Sequence, residues 1–210
     1  AERSGNGLTI FSQALKEQGL MPSEGDCLLQ VHHDKHQGVS PLPTSVRAAE
    51  FEGVQGFWLD LGKPLFGPQA VAAQCVESVM FNQREVSRVA VLHGLNPAWG
   101  NSQFVNIGNP HCVTLVDEAE ALPSNAQMRA SQLSQSLTRI AYAAPAGAGV
   151  PCPAGVNLQW AWREAEGRIV ARVFERGEGP TASSGTSASA VASAAWRVGW
   201  VQAGPVRVVM

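Results

Sequence analysis

The stretch from Ile169 to Trp200 limits the possible fold more than any other part of the chain. Ile169-Val170-Ala171-Arg172-Val173-Phe174 has the make-up of a strand and runs into the charged, glycine-rich turn Glu175-Arg176-Gly177-Glu178-Gly179-Pro180-Thr181. Hydroxyl residues Ser183, Ser184, Thr186 and Ser187 then lead into a helix of small residues from Ala188 to Trp200. A strand, a glycine turn and a helix start in that order make an anion site, because the first N–H groups of a helix have no intrahelical partner and carry the positive end of its dipole. A shorter version opens the chain, where Ser4-Gly5-Asn6-Gly7 leads into Leu8, Ile10, Phe11, Ala14 and Leu15 at helical spacing. The same device occurs twice.

The chain has 210 residues, 45% of them hydrophobic, enough for a sizeable core in one large or two small domains. A formal net charge of -2 leaves no electrostatic footprint for nucleic acid or an anionic membrane. No apolar run reaches the length of a membrane span, and no signal peptide is visible. The four cysteines, at 27, 75, 112 and 152, lack the CxxC spacing of a structural zinc site, so a reducing, cytoplasmic setting is expected. His32, His33 and His36 share one loop with only Asp34 in support, and no metal site is expected there. Gly5-Asn6-Gly7 has no GxGxxG continuation, which argues against a dinucleotide cofactor.

Along the chain, Leu8 to Gln18 reads as a helix stopped by Gly19, and Cys27 to His33 as a strand. Asp34 to Arg47 reads as a loop, and Gly56 to Pro64 as a strand and turn, with a domain crossing at Pro64 to Pro68. Gln69 to Phe81 reads as a helix, Val86 to His93 as a strand, and Gln103 to Val116 as two extended runs around Gly108-Asn109-Pro110. A helix over Asn125 to Ile140, a loop over 143–153 and a strand over Val156 to Trp162 follow. The expected class is α+β with mixed or antiparallel sheets. The tryptophans at 58, 160, 162, 196 and 200 stand among apolar neighbours and read as core.

Single residues leave alternatives open. Glu175-Arg176 is either a strand-end ion pair or a clamp for an amino-acid head group, since Arg matches a carboxylate and Glu accepts from an ammonium. His111 is either a structural hydrogen-bonding residue or a catalyst. Asn6, Asn109 and Asn157 are either turn and cap residues or the polar contacts of a zwitterion.

Together these motifs resemble the cofactor-independent diaminopimelate epimerases. The first family motif, Cys-Gly-Asn-Gly, is similar to Ser4-Gly5-Asn6-Gly7, and the second resembles Glu175-Arg176-Gly177 followed by Ser184-Gly185-Thr186-Ser187. Asp60 to Pro64, Gly108-Asn109-Pro110-His111 and Gly155-Val156-Asn157 resemble the inter-domain strand and two substrate-binding turns. The resemblance implies two pseudo-symmetric domains, each with a sheet around a central helix: an incomplete N-terminal one over 1–65 and a C-terminal one over 66–210 lacking its end. It also implies a chain cut at both ends. The implied reaction interconverts LL- and meso-diaminopimelate by two-base proton transfer, in lysine biosynthesis, without pyridoxal phosphate or a metal. Ser4 and Ser184 would hold the catalytic positions, with Gly5, Asn6, Asn109, Asn157, Glu175, Arg176, Gly185 and Thr186 binding substrate. Both positions are cysteine in the family, so a serine form is expected to be weak or inactive, because an alcohol is a far weaker acid than a thiol. A non-catalytic amino-acid binder and an altered isomerase or dehydratase are the alternatives. The implied partner is a small amino acid, not nucleic acid or membrane, with a homodimer as one allowed assembly.

Overall fold

The computed structural model describes residues 4–22, 24–31 and 42–210. The histidines at 32, 33 and 36, with Asp34, lie outside the described residues. The chain divides into two compact units, residues 1–63 with 107–109 and residues 64–106 with 110–210.

In the smaller unit, helix α1 (Gly5–Glu17) starts where Ser4 Oγ accepts a hydrogen bond from Gly7 N at 3.1 Å. Strands β1 (Cys27–Val31), β2 (Leu42–Phe51) and β3 (Val54–Leu59) form an antiparallel sheet in that order. Leu8 of α1 is buried against Leu29 and Val46, with Leu15, Phe57 and Leu59 around them. Ile10 and Phe11, expected to face the core with Leu8, are exposed, because only the Leu8 and Leu15 side of the helix meets this cluster.

The loop expected over 34–47 is corrected from Leu42 onward, where β2 begins. Pro43 argued for a loop, yet it pairs only with Gln30 of β1. The β3 ladder starts at Val46, so on that side the missing N–H breaks nothing. Glu52 and Gly53 both have positive φ, 50° and 79°, and form the two-residue hairpin between β2 and β3.

The larger unit holds a nine-stranded sheet. Its strands are β4 (Leu65–Phe66), β5 (Val76–Phe81), β6 (Arg84–Val89), β7 (Ser102–Asn106), β8 (Pro110–Val116), β9 (Asn157–Ala165), β10 (Arg168–Glu175), β11 (Gly179–Thr181) and β12 (Arg207–Val209). The order is β11-β10-β9-β8-β7-β6-β5, with β12 beside β10 and β4 beside β7. Pairing is antiparallel except for β8 with β9 and β10 with β12. Helices α2 (Ala90–Leu95), α3 (Asn125–Arg129), α4 (Ser131–Ala141) and α5 (Gly185–Arg197) complete it.

The helix expected over Gln69 to Phe81 is corrected to a 3-10 turn at Pro68–Val71 and the strand β5. Asn82 and Gln83 take positive φ, 47° and 59°, closing a two-residue hairpin onto β6, and Asn82 Nδ2 donates to Val198 O at 2.6 Å. The strand expected from Val86 to His93 ends at Val89 and continues as α2.

Alternation along the central strands builds two buried faces. Phe104, Cys112, Leu158, Trp160 and Phe174 meet Met128, Leu137 and Ile140 of α3 and α4 in one cluster. The opposite face of β9 carries Asn157, Gln159 and Ala161, and Gln159 reaches Ser187 of α5. The small residues Ala190, Ala194 and Ala195 of α5 are fully buried, which lets the helix lie close against β7, β8, β9 and β10. Trp160 and Trp200 are buried as expected, but Trp58 and Trp196 are exposed, at 61% and 48%.

Candidate functional site

The strand ends of the larger unit and the start of α5 carry most of the expected site residues. Asn157 opens β9, and Arg176 follows the last residue of the antiparallel neighbour β10, so both stand at the same edge of the sheet. Asn157 Oδ1 accepts from Arg176 N at 2.9 Å, and its Nδ2 donates to Pro110 O at 3.3 Å. One buried amide therefore ties the starts of β8 and β9 to the turn after β10. Arg176 Nη1 donates to Ala154 O at 2.8 Å, which holds the guanidinium beside the same turn.

Glu175 is half-buried and pairs with Gly179, while its carbonyl accepts from Glu178 N at 3.3 Å. Gly177, with φ +96°, makes the tight return that residues with a Cβ disfavour.

Ser184 caps α5, its Oγ accepting from Ser187 N at 3.4 Å, and is 5% exposed. Gly185 is exposed, and a Cβ placed there would meet nothing within 4 Å, so the helix start opens onto free space. Thr186 beside it is buried. The exposed Gly185 thus leaves the positive end of the α5 dipole accessible at this turn.

Beneath the cap runs a buried polar chain. Gln159 Nε2 lies 3.0 Å from both His111 Nδ1 and Ser187 Oγ. His111 is fully buried and pushed down to about 3, first by desolvation and then by the Arg176 charge, with the Gln159 hydrogen bond acting the other way. Gln159 escaped the sequence reading. Its signal was a polar residue between Leu158 and Trp160, on the strand face that begins with Asn157.

The His111 environment predicts a pH dependence. Its folded value lies below the unfolded 6.5, so between those limits the unfolded chain binds a proton that the folded chain refuses. This contribution to stability is complete above pH 6.5 and is lost as pH falls toward about 3. Urea unfolding at neutral pH and at about pH 4.5 should show a steeper loss for the natural protein than for His111→Asn, by up to about 1.4 kcal/mol per pH unit. Equal losses in the two proteins would rule this out.

Ser4, Gly5 and Asn6 belong to the smaller unit, where Ser4 and Asn6 are exposed and Gly5 is buried at the start of α1. Asn109 also groups with the smaller unit and is half-buried. Among the described residues no three His, Cys, Asp or Glu side chains gather as a metal site, and no helix is long and apolar enough to cross a membrane.

The expectation that the thiols have given way to serine, and that activity is lost with them, is corrected. Four free cysteines are present, Cys27 in the smaller unit and Cys75, Cys112 and Cys152 in the larger. Cys112 and Cys152 are buried; burial pushes the Cys112 thiol up, and pushes that of Cys152 up to about 12 against the opposing Arg176 charge. Ser4 and Ser184 are explained as helix caps, a place that favours a hydroxyl whatever else the chain contains. Neither the weak or inactive serine form nor the alternatives built on it stand.

Comparison with known proteins agrees with the fold and narrows the family. The family model for diaminopimelate epimerase matches residues 103–210, more than half of the chain. A diaminopimelate epimerase from Laribacter hongkongensis is 30% identical over 96% of this chain and 60% of its own length. Another from Desulforapulum autotrophicum is 24% identical over 92% of this chain and 58% of its own. The chain thus spans less than two thirds of the length of these relatives. Among solved structures, a probable proline racemase from Agrobacterium radiobacter K84 with bound carbonate shares the fold, with a TM-score of 0.53 and 14% identity over 100% of this chain and 57% of that one. The mixed α+β architecture and the match over the sheet and helix that hold the site lead to one conclusion: the chain belongs to the diaminopimelate epimerase family.

Proposed function

We propose that the protein is an isomerase of the epimerase type, acting at the carbon beside a carboxylate of a small amino acid. Diaminopimelate is the first candidate substrate, because the matching relatives carry its name. The observation that carries this reading is the meeting of Asn157, Arg176 and the open start of α5 at one edge of the larger unit. Arg176 offers a guanidinium to the carboxylate. The amides after Ser184 favour the negative charge that develops when the α-proton leaves, as preorganised donors do. The two units correspond in this reading to the two family domains, and each holds one serine-capped helix start, Ser4 with Gly5 and Asn6 in one, Ser184 with Gly185 and Thr186 in the other. Asn109 and Glu175 complete the set of binding groups.

In this reading the proton is transferred without pyridoxal phosphate. With diaminopimelate as substrate the reaction belongs to lysine biosynthesis, in the cytoplasm.

The test is exchange of the α-proton of diaminopimelate in deuterated water, followed by NMR. Exchange by the natural chain is expected, with Arg176→Ala lowering it by at least about tenfold. Bound substrate that never exchanges would overturn the proposal.

A further inference from the structure

Away from the strand ends, the sheet of the larger unit is nearly open at one place. β5 and β6 pair along their whole length, whereas β6 and β7 are joined by the single pair Ser87 and Ser102. A cleft of about 310 Å³, with walls from β5, β6 and β7, lies there, large enough for a small metabolite. Arg197, at the last position of α5, lines it. The thirteen-residue helix spans about 20 Å, so the cleft stands well apart from Ser184 at the other end.

Three of the lining groups have unused capacity. Gln103 is 4% exposed, and its Nε2 donates to Phe104 O at 3.0 Å, which fixes the orientation of the amide because only its NH₂ end donates. Its Oε1 is then a buried acceptor with no partner among the described residues, a costly state that a ligand N–H relieves. The Arg197 guanidinium lies 5.5 Å from the centre of the Phe66 ring and pairs with no carboxylate among the described residues. Glu85 accepts from Ser78 Oγ at 2.7 Å and likewise forms no ion pair.

A lone anion would meet Glu85 and the bare Gln103 oxygen, and a lone cation would meet Arg197. A molecule with both charges satisfies all three groups. We propose that this cleft is a second ligand site, which takes a free α-amino acid with an apolar side chain. The carboxylate goes to Arg197, the ammonium to Glu85 and Gln103 Oε1, and the side chain lies against Val76, Val86 and Phe66.

The test is an NMR titration of the full chain with L-leucine, read at the Gln103 side-chain NH₂ and at the indole N–H of Trp196, whose ring lies 6.1 Å from that of Phe66. Saturable shifts at both are expected. Arg197→Gln and Glu85→Gln, both at exposed positions, should each weaken binding at least tenfold. So should removing one charge from the probe, using 4-methylpentanoate or isoamylamine. Equal binding of either one-charge probe, or unchanged binding in both variants, would overturn the proposal. Shifts confined to the amides of Ser184 to Thr186 would also overturn it, while supporting the other site. Absence of shifts at both places overturns it too, and leaves the isomerase reading to the exchange measurement.

Discussion

Replacing Trp160 by alanine should lower the unfolding free energy by about 3–5 kcal/mol, among the largest effects of any single change in this chain. Trp160 is 0% exposed, sits in the middle of β9 and lies 5.1 Å, ring centre to ring centre, from Trp99. Truncation removes a large apolar surface and leaves a cavity between the sheet and the helices packed on it. Phenylalanine should be tolerated far better. The indole Nε1 is buried without a partner among the described residues, so Trp160→Phe also removes an unsatisfied donor. Urea midpoints of the two variants check this, and similar losses for Phe and Ala would show that this ring is not what fills the core.

The second large effect lies beside the candidate site. Gly155 has φ +75°, and a Cβ there would come within 2.5 Å of Ala141 O, 2.6 Å of Arg176 Cδ and 2.9 Å of Ala143 N. Two of these are backbone atoms that cannot rotate away. Gly155→Ala should therefore cost about 3 kcal/mol, combining left-handed backbone strain with the displacement of its neighbours. It should also move the Arg176 side chain, so α-proton exchange should fall more than stability alone explains. Thermal unfolding and exchange, measured on the same preparation below the melting range, separate the two effects. An alanine variant as stable and as active as the natural protein would contradict this geometry.

Elements with strong local signals were legible in the sequence. The runs over 103–116 and 156–174 contain closely spaced β-branched and aromatic residues, and they became β7 to β10. Ser4 and Ser184 stood before helical runs and cap them. By contrast, 69–81 looked helical because Ala70, Val71, Ala73 and Val76 fall at helical spacing, while Asn82-Gln83 gave no glycine to announce a hairpin. Pro41 and Pro43 hid the start of β2 for a similar reason, since a proline is tolerated where a strand has only one neighbour, and neighbours are invisible locally.

The candidate site divides in the same way. The glycine turn after Glu175, the Gly108-Asn109-Pro110 tip and both helix starts are short-range features, set by which residues accept positive φ, end a strand or cap a helix. The sequence by itself therefore determined where the chain turns, which groups cap its helices and which residue types line the strand ends. Only the tertiary structure decided that His111 meets Gln159, 48 positions away, and that Gln159 meets Ser187 beneath the cap. It alone also decided that Cys112 and Cys152 are buried thiols and that Arg197 shares a cleft with Glu85. The reason is physical: capping and turn preferences act over a few bonds, whereas burial, charge and hydrogen-bond partnership depend on atoms that folding brings together from distant parts of the chain.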